Sequence, residues 1–242
     1  MSLLQPGPGD ATPEQEIELV YRFYAGLARS MDPEAGLGGK LLYVGKPDDI
    51  NRRLLRAANI AGAASLAASS DPALLRQAMR EGAIDFVVNS LDEALRILKN
   101  EIRKRQPVAV GVSIAPDHLL LEAAERGVQP DLLAACLPTH PALEDFCAKG
   151  ARTVEPWSVA AGSSLRIFLV PESLKPLATL DALLLECLAP GDHVNRRWVR
   201  LAPNYLGPST RRLRSVVCDP AAALELRNYL QTASQSRLKA ET

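Results

Sequence analysis

The chain has 242 residues, is 47% hydrophobic and 23% charged, and balances Lys+Arg 28 against Asp+Glu 28. That is ordinary globular composition, long enough for one large domain or for a domain of about 150 residues plus a smaller one. The even charge leaves no net field to draw the whole molecule onto nucleic acid or an anionic membrane, so any anion site has to be local.

Residues 1–12 are rich in Pro and Gly and are expected to be mobile. Thr12, Pro13 and Gln15 then carry the signature of a capped helix, with Ile17, Leu19, Val20, Phe23, Tyr24 and Leu27 on one apolar face. The Gly-rich stretch 36–39 (GLGG) precedes the first strand and reads as a plain flexible loop. From Lys40 short apolar runs alternate with amphipathic stretches. Strands are expected at 41–45 (LLYVG), 63–67, 84–88 (IDFVV), 108–112 (VAVGV) and 131–135, the last closing the series. Helices are expected between them at 48–60, 73–81 behind Asp71-Pro72, 91–105 behind Ser90, and 116–126.

Continuous apolar strands separated by helices are what a parallel sheet covered on both faces requires. The fold class expected is therefore α/β, a Rossmann-like doubly wound layer. Beyond Pro141 the rhythm loosens. Strands are expected at 165–170, 198–201 and 213–218, with helices at 171–188 and 220–230 and a polar, frayed tail from Ser234. The chain divides on this pattern into 1–39 with one helix, 40–150 as the Rossmann-like domain, and 151–242 as an α/β extension of the same or a separate layer.

Cys136, Cys147, Cys187 and Cys218 show no CxxC pair and no metal spacing with His118, His140 or His193. Three of them sit among apolar residues and read as small buried hydrophobes. No run approaches the roughly 18 consecutive apolar residues a membrane helix needs. The first residues lack a basic segment followed by an apolar run, so no secretory signal is expected and the cytoplasm is the default location.

In a doubly wound sheet the turn after the first strand is the usual phosphate site, because helix N–H groups and the helix dipole face it. Here that turn runs Gly45-Lys46-Pro47-Asp48-Asp49-Ile50-Asn51-Arg52-Arg53. One glycine is present, and two carboxylates occupy the helix start. Lys46, Arg52 and Arg53 could offset those carboxylates or simply pair with them. At the end of the second strand, where an acidic residue would hold a ribose, stand Ser69 and Ser70 followed by Asp71. Gly45, Lys46, Asn51, Ser69, Ser113 and His140 are the candidate cofactor contacts at strand ends. Arg196, Arg197, Arg200, Arg211, Arg212 and Arg214 occur with no acidic residue among them, beside Trp198 and Tyr205. If two strands pair there, their guanidiniums could converge on one anion. The bland alternative is a solvated face balanced by Glu186, Asp192 and Asp219. Too few aromatics accompany these arginines for a nucleic-acid surface.

The segment 61–97 (AGAASLAASSDPALLRQAMREGAIDFVVNSLDEALRI), then 107–112 (PVAVGV), then 125–133 (ERGVQPDLL), resembles the NAD-binding Rossmann domain of urocanases. The shared anchors are Ala61-Gly62-Ala63, Asp71-Pro72, Leu91-Asp92-Glu93-Ala94-Leu95, Gly111, Arg126-Gly127-Val128 and Pro130-Asp131. The likeness extends more loosely from Gly39 to His140. It implies a tightly held NAD used as an electrophile in adding water to urocanate. Against the family's pattern, 46–51 replaces the glycine-rich turn and a serine near Ser69 replaces the acidic residue. Ala135-Cys136-Leu137 replaces a polar Asp-Gln-Thr-containing segment, with His140 kept. The family's surrounding core has no recognisable counterpart in 151–242.

Two functions follow as expectations. In the first, the chain has lost the standard NAD site, needs no cofactor, and acts as a ligand-binding or assembly module, holding a small anionic metabolite or nucleotide or associating with itself. In the second, it is a hydro-lyase related to urocanate hydratase that uses a nicotinamide cofactor through a remodelled turn, with Lys46 or Arg52 on the phosphates. No catalytic residue and no metal ligand stands out, and neither membrane nor nucleic acid is an expected partner.

Overall fold

The computed structural model describes residues 11–156, 165–169, 177–207, 210, 213–218 and 220–240. The chain opens with α1 (Pro13–Ala28), closed at its start by the expected capping box. The Gln15 amide N–H donates to Thr12 Oγ1 at 3.3 Å, and the Thr12 N–H to Gln15 Oε1 at 2.8 Å. Then follow β1 (Leu41–Gly45), α2 (Asp49–Ala61), β2 (Ala64–Ala68), α3 (Pro72–Arg80), β3 (Phe86–Val88), α4 (Leu91–Lys104), β4 (Val108–Val112), α5 (Pro116–Glu125), β5 (Leu132–Ala134), α6 (Pro141–Ala148) and β6 (Arg152–Val154). These six strands form one parallel sheet in the order β3-β4-β2-β1-β5-β6. The fold is α/β and Rossmann-like, as the alternating pattern predicts.

Handedness explains which helix lies where. From β1 through β2 to β3 the chain moves one way across the sheet, and right-handed crossovers put α2 and α3 on one face. From β3 through β4 and β5 to β6 it moves back, which puts α4, α5 and α6 on the other. Side-chain alternation along the strands separates two cores accordingly. Leu42, Val44, Ala67, Ala109 and Leu132 face α1, α2 and α3, while Tyr43, Leu66, Val110, Val112 and Leu133 face α4, α5 and α6. Because α2 leaves β1 on one face and α6 leaves β5 on the other, a crevice opens at the carboxyl ends of β1 and β5.

The remaining elements are β7 (Leu165–Leu169), α7 (Leu177–Cys187), α8 (His193–Tyr205), β8 (Arg214–Cys218) and α9 (Pro220–Ala240). β7 and β8 pair antiparallel as a separate two-stranded sheet. α8 joins this layer to the main one by packing on α2. Its Trp198 lies against Tyr21 and Tyr24 of α1, ring centroids 4.9 and 5.2 Å away, and donates its indole N–H to Ser215 O at 3.0 Å.

Several expectations need correction. Residues 198–201 are not a strand. Trp-Val-Arg-Leu alternates in isolation, but in the longer span capped by Asp192 the buried positions Asn195, Trp198, Val199 and Ala202 recur at helical spacing. Residues 131–135 do not close the main series, since β6 adds a sixth strand. It is three residues long with Arg152 and Thr153 exposed, so it carries no apolar run to find. β3 is shorter than 84–88, because the Asp85 carboxylate accepts the Ala109 N–H at 2.7 Å and Ile84 turns into the core. The final helix continues past 230 to Ala240. Cys136, Cys147 and Cys187 are exposed and Cys218 half-buried, so none is a core residue. On α6, for instance, it is Phe146 that turns inward, and its neighbour Cys147 faces out. The expected mobile start up to residue 10, the helix start at 171–176 and the last two residues of the tail lie outside the described residues.

The GLGG stretch is not a loose loop either. The Arg197 guanidinium of α8 enters between Gly36 and Gly62, donating from Nε to Ile60 O at 2.9 Å. A Cβ on Gly62 would stand 2.5 Å from Arg197 Nη2, and one on Gly36 would stand 2.6 Å from Arg197 Cζ and run into Ala61 O. Both glycines also sit at positive φ, +64° and +97°, where a side chain is strained. We expect Gly62→Ala to cost about 2 kcal/mol in denaturant unfolding, as the sum of αL strain and clash. The same substitution in an Arg197→Ala background should cost less, because the clash is gone and only the αL strain is left; additive losses would mean the two groups do not meet.

Asp85 supplies a pH signature. Burial pushes its carboxyl upward, and the Ala109 N–H pulls it partly back. A raised acid favours folding while protonated, and that stability is lost as pH rises through the folded pKa. Asp85→Asn should therefore gain stability relative to the parent between weakly acid and neutral pH. A constant difference across that range in denaturant midpoints would contradict this.

Candidate functional site

The crevice between β1 and β5 is built from the turn after β1 and the segment that links β5 to α6. Gly45 ends β1 at φ +70°, a conformation suited to glycine. A Cβ built on it would stand 2.6 Å from Leu137 Cδ2. Lys46 is exposed and Pro47 buried. Pro47 has no N–H to offer a ligand.

Asp48 caps α2, accepting the Asn51 N–H at 3.0 Å. A carboxylate there complements the helix dipole in the place where an anion would otherwise sit. Asn51, 4% exposed, ties the turn together. Its amide donates to Lys46 O at 2.8 Å and its Oδ1 lies 3.1 Å from Cys136 Sγ. Burial, and then the Asp48 charge, push the Cys136 thiol upward.

The two arginines after the turn are engaged elsewhere. Arg52 donates to Pro47 O at 3.2 Å and pairs with Asp49 and with Glu81, the latter at 2.9 Å. Arg53 and Arg56 both reach Glu16 of α1, at 2.8 and 2.7 Å, and Arg56 also meets Glu81 at 3.4 Å. This network pins α1 and the end of α3 onto α2. Arg56 and Glu16 are largely buried, so removing one partner strands a charge. Glu16→Gln should cost about 2 kcal/mol, whereas Asp145→Asn, which loses the exposed pair to Lys149, should stay below about 0.5 kcal/mol. Equal effects in urea unfolding would overturn the distinction.

Ser69 is buried at the end of β2, its Oγ accepting the Asp71 N–H at 3.0 Å. Ser113, half-buried, follows β4 directly and donates its N–H to Val88 O at 2.8 Å. His140 is the N-cap of α6, its Nδ1 accepting from the Ala142 N–H at 3.2 Å. Gly45, Lys46 and Asn51 thus share one turn, with His140 at the far end of the facing segment. Ser69 and Ser113 stand at the ends of β2 and β4.

The described arginines of the second cluster go to separate partners. Arg196 donates to Leu185 O and Leu188 O at 2.6 and 3.0 Å, at the end of α7. Arg197 holds the end of α2. Arg214 grips Asp181 through two contacts of 2.5 and 3.0 Å. Arg200 is exposed, and Arg211 and Arg212 lie outside the described residues. The convergence expected from two paired strands is absent among the described residues, since three of these arginines ride on a helix. Sequence reasoning passed over Leu137 as a residue of the site. Its only signal was an apolar side chain where the family pattern is polar.

Residues 55–166 match the model of the urocanase Rossmann-like domain. The chain carries a urocanase-family Rossmann-like domain. The urocanase match begins inside α2, takes in β2 to β6, and reaches into β7. Ser69, Ser113 and His140 fall within it; Gly45, Lys46 and Asn51 precede it. Among the described residues no group of His, Cys, Asp and Glu could hold a metal ion, and no helix is long and apolar enough to cross a membrane.

Proposed function

We propose that this urocanase-like Rossmann domain works as a ligand-binding or assembly module without the NAD that the family's Rossmann domain holds. One observation carries the reading: Leu137 lies on Gly45, in the place where a pyrophosphate would approach the backbone. The residues around the turn do not fit the dinucleotide. Asp48 already caps the helix start, and its charge opposes a phosphate. Arg52 is committed to Asp49 and Glu81, which weighs against its use on phosphates in a remodelled hydro-lyase. On this reading the module works without a cofactor, in the cytoplasm. For assembly, β3 ends the sheet among the described residues, and its Phe86 is 49% exposed.

Calorimetry with NAD, NADH and NADP should give no heat of binding at micromolar protein, and urocanate should be left unconsumed by chain and NAD together. Sub-micromolar NAD binding, or NAD-dependent loss of urocanate, would remove the proposal.

A further inference from the structure

The geometry points to Leu137, backed by the charge of Asp48, as an internal plug that keeps a diphosphate out of the crevice between β1 and β5. This inference rests on the reading just given and names the groups responsible for it. Gly45 is still shaped for close approach, with a left-handed φ and no side chain. Within 4 Å of the position its Cβ would take, Leu137 Cδ2 is the one heavy atom among the described residues, chain neighbours aside. Among the described residues a single side chain therefore covers the glycine.

That side chain is half-buried. Leu137 packs against both cores of the sheet, since the crevice is where its two faces meet. On one side Cys136 reaches Asn51, and on the other His140 caps α6, so the segment is held at both ends. Volume and charge act together here. Shortening Leu137 frees space but leaves the Asp48 carboxylate at the helix start. Replacing Asp48 by Ser keeps a capping oxygen and removes the charge, but leaves the space filled.

The test compares the parent, Leu137→Ala, Asp48→Ser and the double variant in calorimetry with inorganic pyrophosphate and with ADP. The double variant should bind at least about tenfold tighter than either single one, and the parent not measurably. A double variant that is folded by circular dichroism and binds no better than the parent refutes the plug while leaving the proposed function standing. NAD bound to the parent removes both.

A second measurement needs no ligand. Gly45→Ala should destabilise the parent more than it destabilises Leu137→Ala, because only the parent has a side chain to collide with. Additive losses refute the plug even if the double variant does not fold.

Discussion

The C-terminal end of α2 exposes carbonyl oxygens that the helix cannot bond for itself, and a cation from 137 residues further along the chain reaches one of them. Arg197 donates to Ile60 O from a slot between Gly36 and Gly62, so the negative end of the helix dipole meets a guanidinium. That contact sets where α8 lies, and α8 in turn carries Trp198 to Tyr21 and Tyr24 of α1. α2 thus becomes the element against which both α1 and α8 are placed. The two glycines are needed because any side chain would occupy the slot.

The other end of α2 is closed by groups of opposite sign. Asp48 caps it, and Arg52, Arg53 and Arg56 along its flank are absorbed by Asp49, Glu81 and Glu16. The cations nearest the first turn thus stabilise helix packing. In a nucleotide-binding layer this turn would present free N–H groups and uncompensated positive potential. Here the Asn51 N–H already bonds the Asp48 carboxylate, and an apolar side chain from the facing segment lies over the glycine.

The layer itself was legible because its signals are local. LLYVG and VAVGV are long enough to register as buried strands, and Thr12, Asp48, Asp71 and Ser90 mark helix starts by their own hydrogen bonds. β6 was not, since an edge strand of three residues needs no apolar run. The strand expected at 198–201 failed because a four-residue window cannot separate a period of two from a period of 3.6. The fate of the arginine cluster was equally hidden. Backbone carbonyls at the ends of α2 and α7 leave no mark in a sequence, yet they are the partners of Arg197 and Arg196.

By itself the sequence determined the order of strands and helices from α1 to β5, the caps of α1 to α4, and the likeness to a urocanase Rossmann-like domain, because each depends on residues within a few turns of one another. It also showed a single glycine in the turn after β1, with two carboxylates at the helix start. Only the tertiary structure decided what fills that turn, since Leu137 lies 92 residues from Gly45 and meets it through the pairing of β1 with β5. It likewise decided that the two glycines near Ala61 hold an arginine. Side-chain identity gives charge and volume; only the crossing of distant segments says which volume is occupied.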